Sequence, residues 1–170
     1  MNIRYLFTAM VFMLLVACQS GEGDTSDLLS QIDALETTNE KNTTTQNSRD
    51  LIALYEQYVE ANPDDAERNA RFLYRAATLN YRMNAFGAAS KQLMTAMKNY
   101  PESANTPNAA LLLATINQDN FRNPLVGNVI YQAFVKAFPN HSEHAKIQQQ
   151  LSADLPALAE SIKTMGQQLY

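Results

Sequence analysis

The feature that most constrains this chain is a repeat marked by prolines at an even spacing of 38, at Pro63, Pro101 and Pro139. The three segments that lead into them, LYEQYVEANPDD, LMTAMKNYPES and YQAFVKAFPNH, end alike. Eight residues before each proline stands Tyr55, Leu93 or Tyr131, and four before it stands Val59, Met97 or Val135. Those positions share one helical face, because four residues make about one turn. The proline then ends the helix or starts the next. Periods of roughly 20–50 residues mark architectures of stacked units, each too small to bury its own apolar face.

The segments between the prolines read as helix pairs. Residues 66–83 and 88–98 form the first pair, interrupted by Asn84-Ala85 with Gly87 just beyond. Residues 107–117 and 125–138 form a second, and residues 142–151 and 156–169 a third. A half-unit, 49–61, precedes them. No strand-like alternation is long enough to compete. The expected core contains Tyr58, Phe72, Leu73, Leu79, Leu93 and Met97, with Leu112, Ile116, Val129, Tyr131, Phe134 and Leu151. Burial of one such side chain contributes about 1.5–3 kcal/mol.

The first pair resembles a tetratricopeptide repeat, whose second helix carries an aromatic, a small residue, a large apolar one, another small residue and a closing proline. Phe86, Ala89, Leu93, Ala96 and Pro101 stand in that order, and Tyr74 and Tyr81 answer to the family's large aromatics. Thr78 departs from it, standing where the family has glycine. In the second pair Gly127 replaces the small alanine and Pro124 the aromatic. The period also exceeds the family's usual length of about 34. The resemblance implies an all-α fold: a short right-handed solenoid of about three such hairpins over residues 49–170.

The N-terminus carries a different signal. Arg4 precedes a charge-free apolar run from Leu6 to Ala17. A bilayer span needs about 20 residues, more than this run offers, so it reads as a secretory signal. It ends in Leu15-Val16-Ala17-Cys18, and Cys18 is the sole cysteine of the chain. This pattern resembles the lipobox of bacterial lipoproteins, which implies cleavage after residue 17 and acylation of Cys18. More than one acyl chain is needed for stable attachment to a membrane. A chain running from Cys18 to Tyr170 has no further cysteine, so its fold rests on apolar burial. Residues 18–48, rich in Gly, Ser, Thr, Asn and acids, read as a flexible acidic linker, within which Leu28, Leu29, Ile32 and Leu35, at helical spacing, mark one short helix, free or docked on the main body. By analogy Gln19 favours the outer membrane and its periplasmic face, with surface display left open.

Charge is split along the chain. Residues 22–67 hold twelve acids and two bases, whereas residues 68–170 hold five acids and ten bases. Arg68, Arg71, Arg75 and Arg82 lie on one helical face. Two readings stand for them: a solvated stripe paired with Asp64, Asp65, Glu67 or the linker, and a groove that grips a partner's carboxylate through the planar guanidinium fork. The solvated stripe is the ordinary arrangement of such a face, whereas the resemblance implies the groove, since the family's first helices line its concave surface. The net charge of −4 argues against nucleic acid. His141 and His144 stand three apart without a third ligand nearby, which argues against a metal centre. The sequence holds no Gly-rich phosphate loop and no nucleophile elbow, so neither catalytic residues nor cofactors are expected. The leading reading is a lipid-anchored envelope adaptor for a protein partner. The alternative is a ligand-binding lipoprotein or an accessory subunit of an envelope enzyme.

Overall fold

The computed structural model describes residues 21–168. They are helical nearly throughout, with no strand among them. The helices are α1 (Gly21–Lys41), α2 (Thr45–Ala61), α3 (Ala66–Arg82), α4 (Phe86–Asn99), α5 (Thr106–Thr115), α6 (Pro124–Ala137) and α7 (His144–Gln168), with a π turn, Ile116–Asn120, continuing α5. The chain divides after Asn62 into two compact units. The signal segment, residues 1–17, and Cys18 lie outside the described residues.

The short helix expected within residues 18–48 is longer than expected and takes the place of most of the flexible linker. Most of that stretch forms α1, which packs on α2, and the unit boundary falls after Asn62 instead of after residue 48. Composition misled because a few apolar side chains suffice when a partner helix supplies the other half of the core. Leu28 and Ile32 on α1 are buried, as are Leu51, Tyr55 and Tyr58 on α2. Polar bonds join the same helices: Tyr55 Oη donates to Glu36 Oε1 at 2.6 Å, and Thr25 Oγ1 donates to Asn62 Oδ1 at 3.0 Å. Thr44 caps α2 by accepting from the Asn47 N–H at 3.0 Å, satisfying one of the orphan donors of the first turn.

In the second unit each helix packs mainly on the next, α3 through α7. Asp65 caps α3, accepting from the Arg68 N–H at 3.3 Å. The exit is a Schellman turn: Ala85 N–H donates to Asn80 O at 2.8 Å and Asn84 N–H to Tyr81 O at 3.0 Å, with Asn84 left-handed at φ 59°. Helices α2, α4 and α6 leave by a common route. Asn62, Tyr100 and Phe138 have φ/ψ of −128/62°, −132/56° and −125/62°. Each precedes one of the three repeat prolines, whose ring disfavours the helical basin at the residue before it. The residues eight before each proline, Tyr55, Leu93 and Tyr131, are all buried.

The hairpins α3–α4 and α5–α6 match at most of their buried positions. From Asn69 to Leu79 the equivalent residue in α5 lies 37 further on: Asn69 with Thr106, Phe72 with Ala109, Leu73 with Ala110, Ala77 with Ala114, Leu79 with Ile116, all buried. From Arg82 onward the offset is 38. The π turn makes the difference, because its wider winding inserts one residue. The Phe121 N–H accordingly reaches back five residues to Ile116 O, at 3.0 Å. Upstream, the connection from Pro101 to Thr106 is one residue shorter than that from Pro63 to Asn69, and the two changes cancel.

Two apolar clusters run through these hairpins. Ala77, Ala89, Leu93, Ala109, Leu113 and Ile116 form one; Ala110, Ala114, Tyr131, Phe134, Ile147 and Leu151 form the other. Met97 and Ile130 pack against both. Small residues sit where helices cross. Ala77 and Ala89 are each 0 % exposed, so the close approach falls at Ala77 and not at Thr78. At the equivalent crossing Gly127 replaces Ala89; a Cβ there would lie 3.1 Å from Ala114 O and 2.3 Å from Gln118 Cγ.

Three further expectations change. The third hairpin, split at residues 151–156, is one helix, α7, that runs through Pro156. Its first turns are anchored by Ile147 and Leu151, and a proline within a helix removes one backbone bond without requiring a reversal of the chain. The second helix pair begins at Thr106 and Pro124, and its first member ends in the π turn. Val129, expected in the core, is 57 % exposed, because the face of α6 that packs inward carries Gly127, Tyr131 and Phe134. Met97 and Leu112 are only partly buried; the other expected core residues are buried.

Candidate functional site

The four arginines singled out by the sequence project from α3 opposite its buried face of Ala70, Leu73, Ala76 and Ala77. Arg68 is half-buried and already paired, Nη1 to Asp65 Oδ2 at 2.8 Å. Its partner is also the α3 cap, so Arg68 serves the start of its own helix. The pair is partly solvated and contributes at most about 1 kcal/mol. Arg71 places its Cζ 5.3 Å from the centroid of the Phe72 ring. Arg75 and Arg82 are exposed further along the same side of the helix. Arg82 stands in the last turn, where a cation complements the helix dipole.

The structure brings two of the four together. Arg68 and Arg71 line a shallow depression of about 190 Å³ with Asp65 and Glu67. Two carboxylates on its wall make it amphoteric, suited to a ligand that offers both a donor and an acceptor. Glu67 is shared with a neighbouring depression of about 310 Å³, lined also by Asn99, Tyr100, Pro101 and Ser103. There Glu67 holds the start of the next repeat, accepting from the Ala104 N–H at 3.3 Å and from Asn105 Nδ2 at 3.2 Å.

His141 has a structural part. Its Nδ1 accepts from the Glu143 N–H at 3.2 Å, and its ring meets Phe134 edge-on at 5.2 Å. The equivalent residue of the preceding repeat, Ser103, does the same with its hydroxyl, accepting from the Asn105 N–H at 3.1 Å. Histidine here is a bulkier version of a turn-forming serine. No group of three metal-ligating side chains occurs among the described residues.

Sequence reasoning missed a buried polar pair and a partly buried chain of three amides between the helices. Asn80 Nδ2 donates to Gln92 Oε1 at 2.9 Å across the first hairpin. In the second, Gln118 Nε2 donates to Asn128 Oδ1 at 2.6 Å and Gln150 Nε2 to Gln118 Oε1 at 3.1 Å. Asn80 and Gln118 stand one repeat period apart. The repeat spacing itself was the signal that would have paired them. It also missed an exposed apolar strip on Phe121, Leu125, Val126 and Val129.

No protein-family model, no curated protein and no solved structure matches the chain at a significant level.

Proposed function

We propose that this chain is a lipid-anchored adaptor of the bacterial envelope, holding a protein partner on a short right-handed solenoid of tetratricopeptide-like hairpins. The observation that carries the reading is the match between α3–α4 and α5–α6 at most of their buried positions, with the same left-handed exit and the same proline-marked return. A unit built this way offers long helical faces rather than an enclosed chamber, the surface on which peptides and proteins are held. The apolar run and Cys18 supply the anchor, through acyl chains on the thiol and the new amine, and the body then lies at the periplasmic face of the outer membrane. Arg71, beside the Asp65–Glu67 wall, is the guanidinium offered to a partner's carboxylate.

Two measurements test this. Cys18→Ser should block incorporation of labelled palmitate and leave the precursor uncleaved; a mature-sized product from that variant removes the anchor from the proposal. Affinity capture from detergent-solubilised membranes should return a stoichiometric protein that is lost with Arg71→Glu and Arg82→Glu. Capture unchanged by both substitutions discards the arginine face.

A further inference from the structure

The part of the strip on α6 itself, Leu125, Val126 and Val129, has no bulky apolar counterpart in α4. Phe121, Leu125, Val126 and Val129 are 48 %, 50 %, 39 % and 57 % exposed. One repeat period earlier stand Met83, Gly87, Ala88 and Lys91, so the repeat fold does not need bulky apolar side chains at the places of Leu125, Val126 and Val129, whereas Met83 matches Phe121 in being large and apolar. Leu125 and Val129 share one stripe of α6 with Gln132, Ala133 and Lys136, all exposed. Phe121 projects from the corner before it, shaped by the π turn and by Arg122 in the left-handed region at φ 51°. Two exposed cations accompany the strip, Arg122 beside Phe121 and Lys136 beyond Val129, and the nearest acid in sequence is Asp119.

We infer that the α6 strip is a second membrane contact, which inserts Phe121, Leu125, Val126 and Val129 below the headgroups of an anionic lipid surface while Arg122 and Lys136 pair with lipid phosphates. Apolar residues flanked by cations satisfy both requirements of interfacial binding: buried apolar area and attraction to anionic lipid. Long basic side chains keep their charges at the headgroup level while their stems lie along the apolar zone. The composition also separates this surface from a protein-docking hot spot. Three of the four residues are Leu or Val, which are under-represented in hot spots, where Trp, Tyr and Arg dominate. The contact is independent of acylation at Cys18.

The test uses the full chain carrying Cys18→Ser, with one new cysteine at Val129→Cys labelled with an environment-sensitive dye. Any binding driven by the apolar N-terminal run is then common to every variant. A control label at Lys91→Cys occupies the equivalent place in the first hairpin. Phosphatidylglycerol-rich vesicles should shift the emission of the dye at 129 to the blue and leave the dye at 91 unchanged. Arg122→Glu with Lys136→Glu should abolish the shift, as should replacing the vesicles with neutral phosphatidylcholine. The inference is overturned if the dye at 129 still reports water while the chain sediments with vesicles, or if both labels shift alike. It is also overturned if neutral lipid serves as well, or if the shift follows protein concentration or added soluble protein without vesicles.

Discussion

Asn84 and Arg122 stand one repeat period apart, and both turn the chain out of a helix in the left-handed region, at φ 59° and 51°. They differ in what that conformation costs. Asparagine visits it readily, whereas for most L-residues Cβ approaches the following carbonyl oxygen at about 1–2 kcal/mol. Glycine removes that clash but frees the unfolded chain by about 0.4–1 kcal/mol. Arg122→Gly should therefore stabilise the chain by about 0.5–1 kcal/mol, and Asn84→Gly should change it by less. Asn84→Val should destabilise by about 1 kcal/mol or more. Urea unfolding followed by circular dichroism measures all three.

The second crossing of the repeat gives a sharper prediction. A Cβ on Gly127 would meet Gln118 Cγ at 2.3 Å and Ala114 O at 3.1 Å. Gly127→Ala should cost about 1–3 kcal/mol as an overpacked contact, even though alanine gains about 1 kcal/mol of helix propensity. Gln118→Ala removes Cγ, so the double substitution should be clearly less destabilised than the sum of the two single ones. Additive costs would place the obstruction at the Ala114 carbonyl instead.

What the sequence made legible follows from these two sites. Period, proline positions and helical faces were readable, because each is a property of spacing. Tyr55, Leu93 and Tyr131 are buried as that spacing required. The π turn was not readable. Its extra residue is offset by a shorter loop upstream, so the proline period stays at 38 and hides both changes. Nor was the extent of α1: Leu28, Leu29, Ile32 and Leu35 marked one short helix, but the polar composition around them hid its length, and its buried face is completed by Leu51, Tyr55 and Tyr58. Val129 failed for a related reason, since an apolar residue on a helix reads as core whichever face it occupies. The arginine stripe was placed correctly on one helix, yet the link between Arg68 and its own cap Asp65 depends on geometry that spacing only permits.

The buried amide pair of the first hairpin can be apportioned by a double-mutant cycle. Asn80 and Gln92 are 8 % and 6 % exposed and bonded at 2.9 Å. Asn80→Leu leaves the Gln92 amide buried without this partner and should cost about 1–3 kcal/mol. Gln92→Met does the same to Asn80. Together they replace both amides with apolar groups of similar shape, and the pair should come close to neutral, with a coupling of at least about 1 kcal/mol. Two independent, additive losses would show that each amide is held by other contacts.

Pro156 supplies the last prediction. It stands inside α7, a helix of 25 residues, after the buried Ile147 and Leu151. Its ring nitrogen carries no hydrogen, so the bond expected to Ser152 O is missing. Proline within a helix is about 3 kcal/mol less favourable than alanine. Because Ile147 and Leu151 fix the helix before that point, the local gain from Pro156→Ala should fall on the segment after residue 152 rather than on the whole unit. Hydrogen exchange should slow there severalfold or more, while the amides of α3 to α6 keep their protection and Tm rises little. If exchange slows equally throughout residues 63–168, the second half of α7 opens only with the entire unit, and the helix is a cooperative part of the core to its end.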